Sequence, residues 1–492
     1  MSDTLMVGVA GIRGIVGKDL TPEAVARYAA AFGIWARDGM RDAGSGMRKH
    51  PRVVLARDAR TSGPMFARAA SAGLMSVGCD VIDLGLVTTP TAQLAVEHHR
   101  AAGGIVLTAS HNPIEWNALK FVGPDGIFLD AEGGARVVTL AADGRLERAG
   151  FGALGDIAPD DAATARHLAA VLRLKAVDVR GIRRRRFRVA LDTVRGAGGV
   201  VMPALLERLG CRVAGMNLEP DGRFPRPPEP VPEHLAALGK LVRRSKADLG
   251  LAVDPDVDRL AIVDERGRPI GEDYTLAFAI RAVLGVGRSD GRTVGRVRRG
   301  RSDGPTVRRS VVVCNLSTSL VVDDAARDCG AEVIRAPVGE AHVARAIVAA
   351  RAPIGGEGNG GVILPALHVG RDGPVAAALV LTLLARERRT VSELVTAGPR
   401  YTIVKAKVER GTLKGQARNA ERGLQDVYAV LKRRFPDATT DERDGLRLAW
   451  PDRWLHVRPS NTEPIIRLIA EAPTGAVAAG LIEEGRKLCA GS

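Results

Sequence analysis

Val53-Val-Leu-Ala56, then Arg57-Asp-Ala-Arg-Thr-Ser-Gly63, a helical stretch, Gly78-Cys79 and Val81-Ile82 read as strand, polar loop, helix, glycine turn and strand. The order returns twice. Val189-Ala-Leu191 leads into Asp192-Thr-Val-Arg-Gly-Ala-Gly-Gly199, a helix, Gly210-Cys211 and Val213. Val311-Val-Val313 leads into Cys314-Asn-Leu-Ser-Thr-Ser319, a helix, Gly330-Ala331 and Val333-Ile334. This recurrence predicts three related α/β/α domains, each with its polar loop at the carboxyl end of a strand, where open α/β sheets bind ligands. The 492 residues exceed what one core serves. The segment from Tyr401 to Ser492 has another pattern and reads as a small α+β domain. The expected division is 1–154, 155–264, 265–390 and 391–492, with a helix-rich connection from Val375 to about Leu394.

Aromatic residues make up only 3% of the chain, so the cores must be aliphatic. The formal charge of +15 calls for anionic partners, but a chain this poor in aromatics offers few platforms for stacking bases. Small anionic substrates are therefore expected in preference to nucleic acid. Five scattered cysteines without CxxC spacing argue against disulfides or zinc. The start MSDTLMVGVAGIRG lacks the pattern of a signal peptide, and no apolar span is long enough to cross a bilayer, so a cytoplasmic location without membrane contact is expected. The basic runs Arg183 to Arg186 and Arg288 to Arg309 read as solvated surface.

Four further stretches carry chemistry. Thr108 to Pro113, TASHNP, follows the apolar run Gly104-Ile-Val-Leu107 and precedes a polar segment ending at Lys120, which sets Ser110 at a strand end. Alone it could be a simple turn. Asp254-Pro-Asp-Val-Asp-Arg259 lies between the apolar runs Leu249 to Val253 and Leu260 to Val263; its alternate carboxylates converge in an extended or looped backbone and suit a hard divalent cation. An EF-hand with Glu265 at the twelfth position fails, because Arg259 stands where glycine is required. Ile354-Gly-Gly-Glu-Gly-Asn-Gly-Gly361 lets Glu357 and Asn359 project toward sugar hydroxyls and lacks a Walker lysine; His342, upstream, could add a loop facing the same cleft. Arg458-Pro-Ser-Asn-Thr-Glu-Pro464 joins two apparent strands, and Arg458, Ser460, Asn461, Thr462 and Arg467 form a phosphate clamp in residue type. Arg13, framed by Gly11, Gly14 and Gly17, suits reaching an anion.

In that order and at those separations the four stretches resemble the α-D-phosphohexomutase family over nearly the whole chain. The resemblance implies four domains around a central cleft and a serine phosphorylated in the active enzyme, here Ser110, with Asp254, Asp256 and Asp258 binding Mg²⁺ beside its phosphate. It places Lys120 as the first choice for acid/base catalysis, flanked by His111, Arg13 and Arg259. Glu357 and Asn359 would contact sugar hydroxyls, and the clamp would hold the substrate's phosphate. The implied reaction interconverts a hexose phosphate through a hexose bisphosphate, in a monomer or homodimer. Asn359-Gly360-Gly361 and Pro255 resemble the archaeal-type phosphoglucosamine mutase and phosphomannomutase branch, making glucosamine phosphate the leading substrate, with mannose and glucose phosphates next. Pro337 stands where other branches have lysine. A non-catalytic sugar-phosphate binder and a phosphatase are the alternatives; the first would not need three aspartates beside a serine, the second would not need a distant clamp.

Overall fold

The aliphatic runs become strands buried on both faces, as parallel sheets require. The computed structural model describes residues 6–8, 11–42, 50–144, 146–285, 310–409, 420–460 and 465–490; the basic run after Arg288, Asn461 and Thr462 lie outside them. In the first repeat, strand Arg52–Arg57 lies between strands Asp80–Leu86 and Gly103–Leu107, all parallel, with Trp116–Val122 antiparallel beside the third. Alternate residues split between two cores: Val53, Leu55 and Ile105 pack on one face, Val54, Ala56 and Val106 on the other. Strands Met6–Gly8, Gly11–Ile15 and Ile157–Pro159 widen this sheet to seven.

The other repeats copy the four-strand arrangement. In the second, Arg212–Met216, Arg188–Asp192 and Leu249–Val253 are parallel and Leu260–Val263 is antiparallel; in the third, Glu332–Ala336, Val311–Asn315 and Ile354–Glu357 are parallel and Gly361–Ile363 is antiparallel. The segments 108–115, 254–259 and 358–360 are therefore equivalent turns between a third and a fourth strand. The loops after the first strands, expected to be the binding loops, lie beside them, because parallel neighbours end on the same edge of the sheet.

Helix Gly373–Glu387 is not the connection its position indicated. Residues 373–384 are all buried, and this helix with helix Asp273–Leu284 fills one core shared by the second and third repeats. A helix apolar on every side is stable only when enclosed.

The last unit is a five-stranded antiparallel sheet, from Thr402–Glu409 through Ile465–Ala472, Trp454–Pro459 and Leu446–Ala449 to Thr439–Asp441, with helices Ala420–Arg434 and Gly475–Ala490. It docks on the third repeat at the N-terminus of helix Leu320–Asp328. There Glu471 accepts hydrogen bonds from Ser319 Oγ and from Leu320 N at 2.8 Å, and His456 Nδ1 lies 2.8 Å from Ser317 Oγ.

Asp273 accepts from Ser319 N at 2.8 Å at the same junction, and burial pushes its carboxyl up to about 8. A carboxyl raised on folding contributes stability that is complete below its unfolded value and lost as pH rises through about 8. Asp273→Asn keeps an acceptor for Ser319 and cannot ionise. The excess thermal midpoint of this variant over the parent is expected to grow between pH 5 and pH 9; a constant difference would refute the assignment. Among the described residues, no helix is long and apolar enough to cross a membrane.

Candidate active site

The three equivalent turns meet. Ser110 lies in the turn, three residues beyond the strand Gly103–Leu107, with φ of 48°, a conformation that non-glycine residues adopt only when their surroundings impose it. Its Oγ donates to Asp254 Oδ2 of the second repeat at 2.9 Å and lies 3.4 Å from His111 Nδ1. Val257, at φ 63°, bends the loop from Asp254 to Asp258 likewise. Asp254, Asp256 and Asp258 are fully buried and offer oxygens all within 4.8 Å of one another. Asp256 Oδ1 and Asp258 Oδ1 have no hydrogen-bond partner among the described residues. Orphaned, buried carboxylate oxygens at this separation fit a hard divalent cation. Burial and the two neighbouring aspartates raise Asp254 well above the carboxylate range. Burial opposes ionisation of Asp256 as well, but Lys120 and the Thr89 hydroxyl outweigh it and hold Asp256 low. Glu265, the EF-hand alternative, bonds instead to the backbone N of Ser392 at 3.2 Å and to its hydroxyl.

The polar segment that ends at Lys120 is part of a strand. Lys120 sits inside the strand Trp116–Val122, where pleating carries alternate side chains to the same face, and its Nζ reaches Asp256 Oδ2 at 2.7 Å. Arg259 Nη1 pairs with Glu229 at 3.1 Å, and its Nε lies 4.0 Å from Asp254 and 3.8 Å from Asp258. Arg13 Nη1 donates to Asn112 Oδ1 at 2.5 Å, and burial brings the guanidinium down to about 10. Burial, Arg259 and Arg13 also lower His111 well below the usual histidine value, because desolvation and cationic neighbours disfavour its protonated form.

Gly360, at φ 87°, seats the third turn against the second: a Cβ there would lie 2.4 Å from the Leu260 carbonyl, and Leu260 N donates to Gly360 O at 3.0 Å. Glu357 turns inward rather than projecting. Its carboxylate accepts from Asn315 Nδ2 at 2.8 Å, Gly339 N at 3.0 Å and Arg371 Nη1 at 2.7 Å, while Asn359 Nδ2 lies 3.5 Å away. His342 is exposed on the first turn of helix Glu340–Ala350, and it is Glu340 on that turn that points inward.

Arg371 is the residue the sequence reading missed. Its buried guanidinium joins Asp258, Glu340 and Glu357, one from each of three segments. Their charges keep the guanidinium protonated despite burial, and its own charge holds Glu357 below the usual carboxylate range against the effect of burial. A signal was present: Asp372 caps the buried helix through Val375 N at 2.8 Å, so the residue before it is carried indoors with it.

In the last unit Arg458 is buried and its Nε is 3.0 Å from Asp444 Oδ2, while its Nη2 has no hydrogen-bond partner among the described residues. Asp444 also accepts from Val338 N at 2.9 Å, tying the clamp to the segment that precedes Glu340. Arg458 stands directly opposite Arg467, and Arg467 opposite Lys407, making a row of three cations across adjacent strands. Like charges in direct register repel. Ser460 is buried at the strand end.

Four family models cover the chain in order: the phosphoglucomutase/phosphomannomutase alpha/beta/alpha domains I, II and III at residues 4–146, 165–267 and 298–401, and the C-terminal domain at 404–488. The chain belongs to the phosphoglucomutase/phosphomannomutase family. Like its relatives, this phosphohexomutase is an intramolecular phosphotransferase of the isomerase type. It is 38% identical over 487 residues to a phosphoglucomutase/phosphomannomutase of Thermococcus kodakarensis, covering 98% of each chain. It is 36% identical over 468 residues to a Methanopyrus kandleri protein named probable phosphoglucosamine mutase, covering 94% of this phosphohexomutase and 93% of the relative. The crystal structure of a family member from Burkholderia thailandensis superposes with a TM-score of 0.80 at 25% identity, covering 98% of this chain and 96% of that one. An Aspergillus fumigatus N-acetylphosphoglucosamine mutase, solved with GlcNAc-6P and magnesium, shares the fold at TM-score 0.59 and 16% identity, covering 100% of this chain and 96% of its own.

Proposed function

We propose that this phosphohexomutase interconverts glucosamine 6-phosphate and glucosamine 1-phosphate, with Ser110 as the phosphate carrier and a bisphosphorylated sugar as intermediate. One observation carries the reading: Ser110 Oγ, from one repeat, stands 2.9 Å from a carboxylate of a buried aspartate triad in the next. A serine that stores phosphate needs charge neutralised around it more than it needs a strong base. In transfer, the Ser110 Oγ–P bond breaks, a bond from phosphorus to the sugar hydroxyl oxygen forms, the hydroxyl gives up its proton and Oγ receives one. Lys120 is assigned to that proton exchange, with His111, Arg13 and Arg259 around the moving group. Asp254, Asp256 and Asp258 would hold Mg²⁺, which supplies Lewis-acid stabilisation of phosphoryl charge when bound. Glu357 and Asn359 would orient the sugar, and Arg458, Ser460, Asn461, Thr462 and Arg467 would hold its other phosphate. The intermediate then turns end for end, so the clamp accepts either phosphate. We assign the four units to 1–154, 155–264, 265–390 and 391–492.

The Methanopyrus name supports glucosamine phosphate; the Thermococcus name supports glucose and mannose phosphates as the second reading. Side-by-side turnover of glucosamine, glucose and mannose 6-phosphates with a catalytic amount of sugar bisphosphate decides. The glucosamine reading expects the highest kcat/KM for that sugar and falls if either neutral sugar exceeds it by tenfold. Treatment with EDTA is expected to lower turnover at least about 100-fold, and Mg²⁺ to restore it. Undiminished turnover after chelation would exclude the triad from the reaction.

A further inference from the structure

Arg60, in the loop after the first strand of the first repeat, is 0% exposed, and nothing above uses it. A guanidinium has five N–H donors in a rigid fork, and Arg60 places all of them. Nε donates to Asp58 Oδ2 at 3.2 Å, Nη1 to the carbonyls of Pro113 at 2.6 Å and Trp116 at 2.8 Å, and Nη2 to those of Ser110 and Asn112, both at 2.7 Å. The turn that presents Ser110 is thus bonded through three of its own carbonyls and through that of Trp116, the first residue of the strand that follows. Asp58 closes the frame: it accepts from Thr108 Oγ1 at 2.7 Å, and that oxygen accepts from Ser110 N at 2.9 Å. The second repeat covers the arrangement, with the Phe224 ring centred 5.0 Å from the guanidinium carbon and Gly222 packed against the backbone of Ala59. A turn whose serine has φ of 48° needs such external bonds to persist.

We propose that Arg60 is a positioning residue for phosphoryl transfer, fixing the frame of the Ser110 turn so that Oγ stays aligned with Asp254. It rests on the reading of Ser110 as phosphate carrier. Lysine, a point charge with three donors, cannot span four carbonyls and a carboxylate. Misplacing a reacting atom by an ångström costs about 100-fold in rate. Arg60→Lys is therefore expected to fold and to lose about 100-fold in kcat, with KM within about threefold of the parent. In Arg60→Ala, guanidinium chloride at millimolar concentration is expected to recover kcat at least about tenfold, while equal ammonium chloride recovers nothing. A role limited to stability would lower the thermal midpoint without this kcat-selective loss or this ion-selective rescue. Parental kcat in Arg60→Lys, a loss confined to KM, or equal rescue by ammonium would each overturn the proposal; if Arg60→Ala does not fold, the lysine variant decides alone. Intact mass of the parent after incubation with glucose 1,6-bisphosphate separates the two readings. An unphosphorylated parent defeats the Ser110 assignment and this inference with it, whereas a phosphorylated parent with undiminished Arg60→Lys turnover defeats only the role of Arg60.

Discussion

Ser110→Ala is expected to abolish isomerisation, lowering kcat by at least about 10⁴-fold, while sugar phosphate binds within about threefold of the parent affinity. The asymmetry follows from the geometry. The alanine removes the oxygen that would carry phosphate and a single hydrogen bond to Asp254, but leaves the clamp on Arg458 and the Glu357 turn untouched. Titration calorimetry with a hexose phosphate and a coupled turnover assay read the two halves. After incubation with a hexose bisphosphate, intact mass should show one added phosphate on the parent and none on the variant. Turnover within tenfold of the parent would remove Ser110 from the mechanism. Release of inorganic phosphate by the parent at the rate of sugar turnover would convert the reading to that of a phosphatase.

Arg371→Met is expected to cost about 3–5 kcal/mol of stability, the penalty for breaking a buried charge arrangement by deleting one partner. Asp258, Glu340 and Glu357 would then share a buried space without the guanidinium that joins them. Glu340 is already raised by burial against the pull of Arg371, and it rises further once that pull is gone. The destabilisation should therefore be larger at pH 8 than at pH 5, because it grows as Glu340 loses its proton. Arg371→Lys, which restores charge without the fork, should fall between. Equal thermal midpoints for parent and methionine variant at both pH values would refute the counter-charge role.

Much of this was legible because particular residues can do few other things. Strand-forming runs at Val53, Val189 and Val311 with glycine turns at matched distances specify a repeat. Asp254-Pro-Asp-Val-Asp specifies a carboxylate cluster suited to a cation, since three unneutralised carboxylates repel. The equivalence of the Ser110, Asp256 and Gly360 turns was not legible, because pairing order between a third and a fourth strand leaves no local pattern. The strand that carries Lys120 went unread for the same reason: it is held by partners 12–15 and 104–107, far from it in the chain. The shared core of the second and third repeats was hidden because an apolar helix such as Gly373–Glu387 shows that it is enclosed but not by what.

The sequence by itself determined the three related units, the small last domain and the four candidate stretches, because periodicity, glycine placement and charge clustering act over a few residues and are written locally. Only the tertiary structure decided which side chains meet. It brought Ser110 to Asp254, Lys120 to Asp256, and Arg371 to three carboxylates, and it enclosed Arg60 beneath the Ser110 turn. A buried arginine and an exposed one look alike in a sequence. What distinguishes them is how completely their donors are satisfied once water is excluded, and that is settled by packing between segments far apart in the chain.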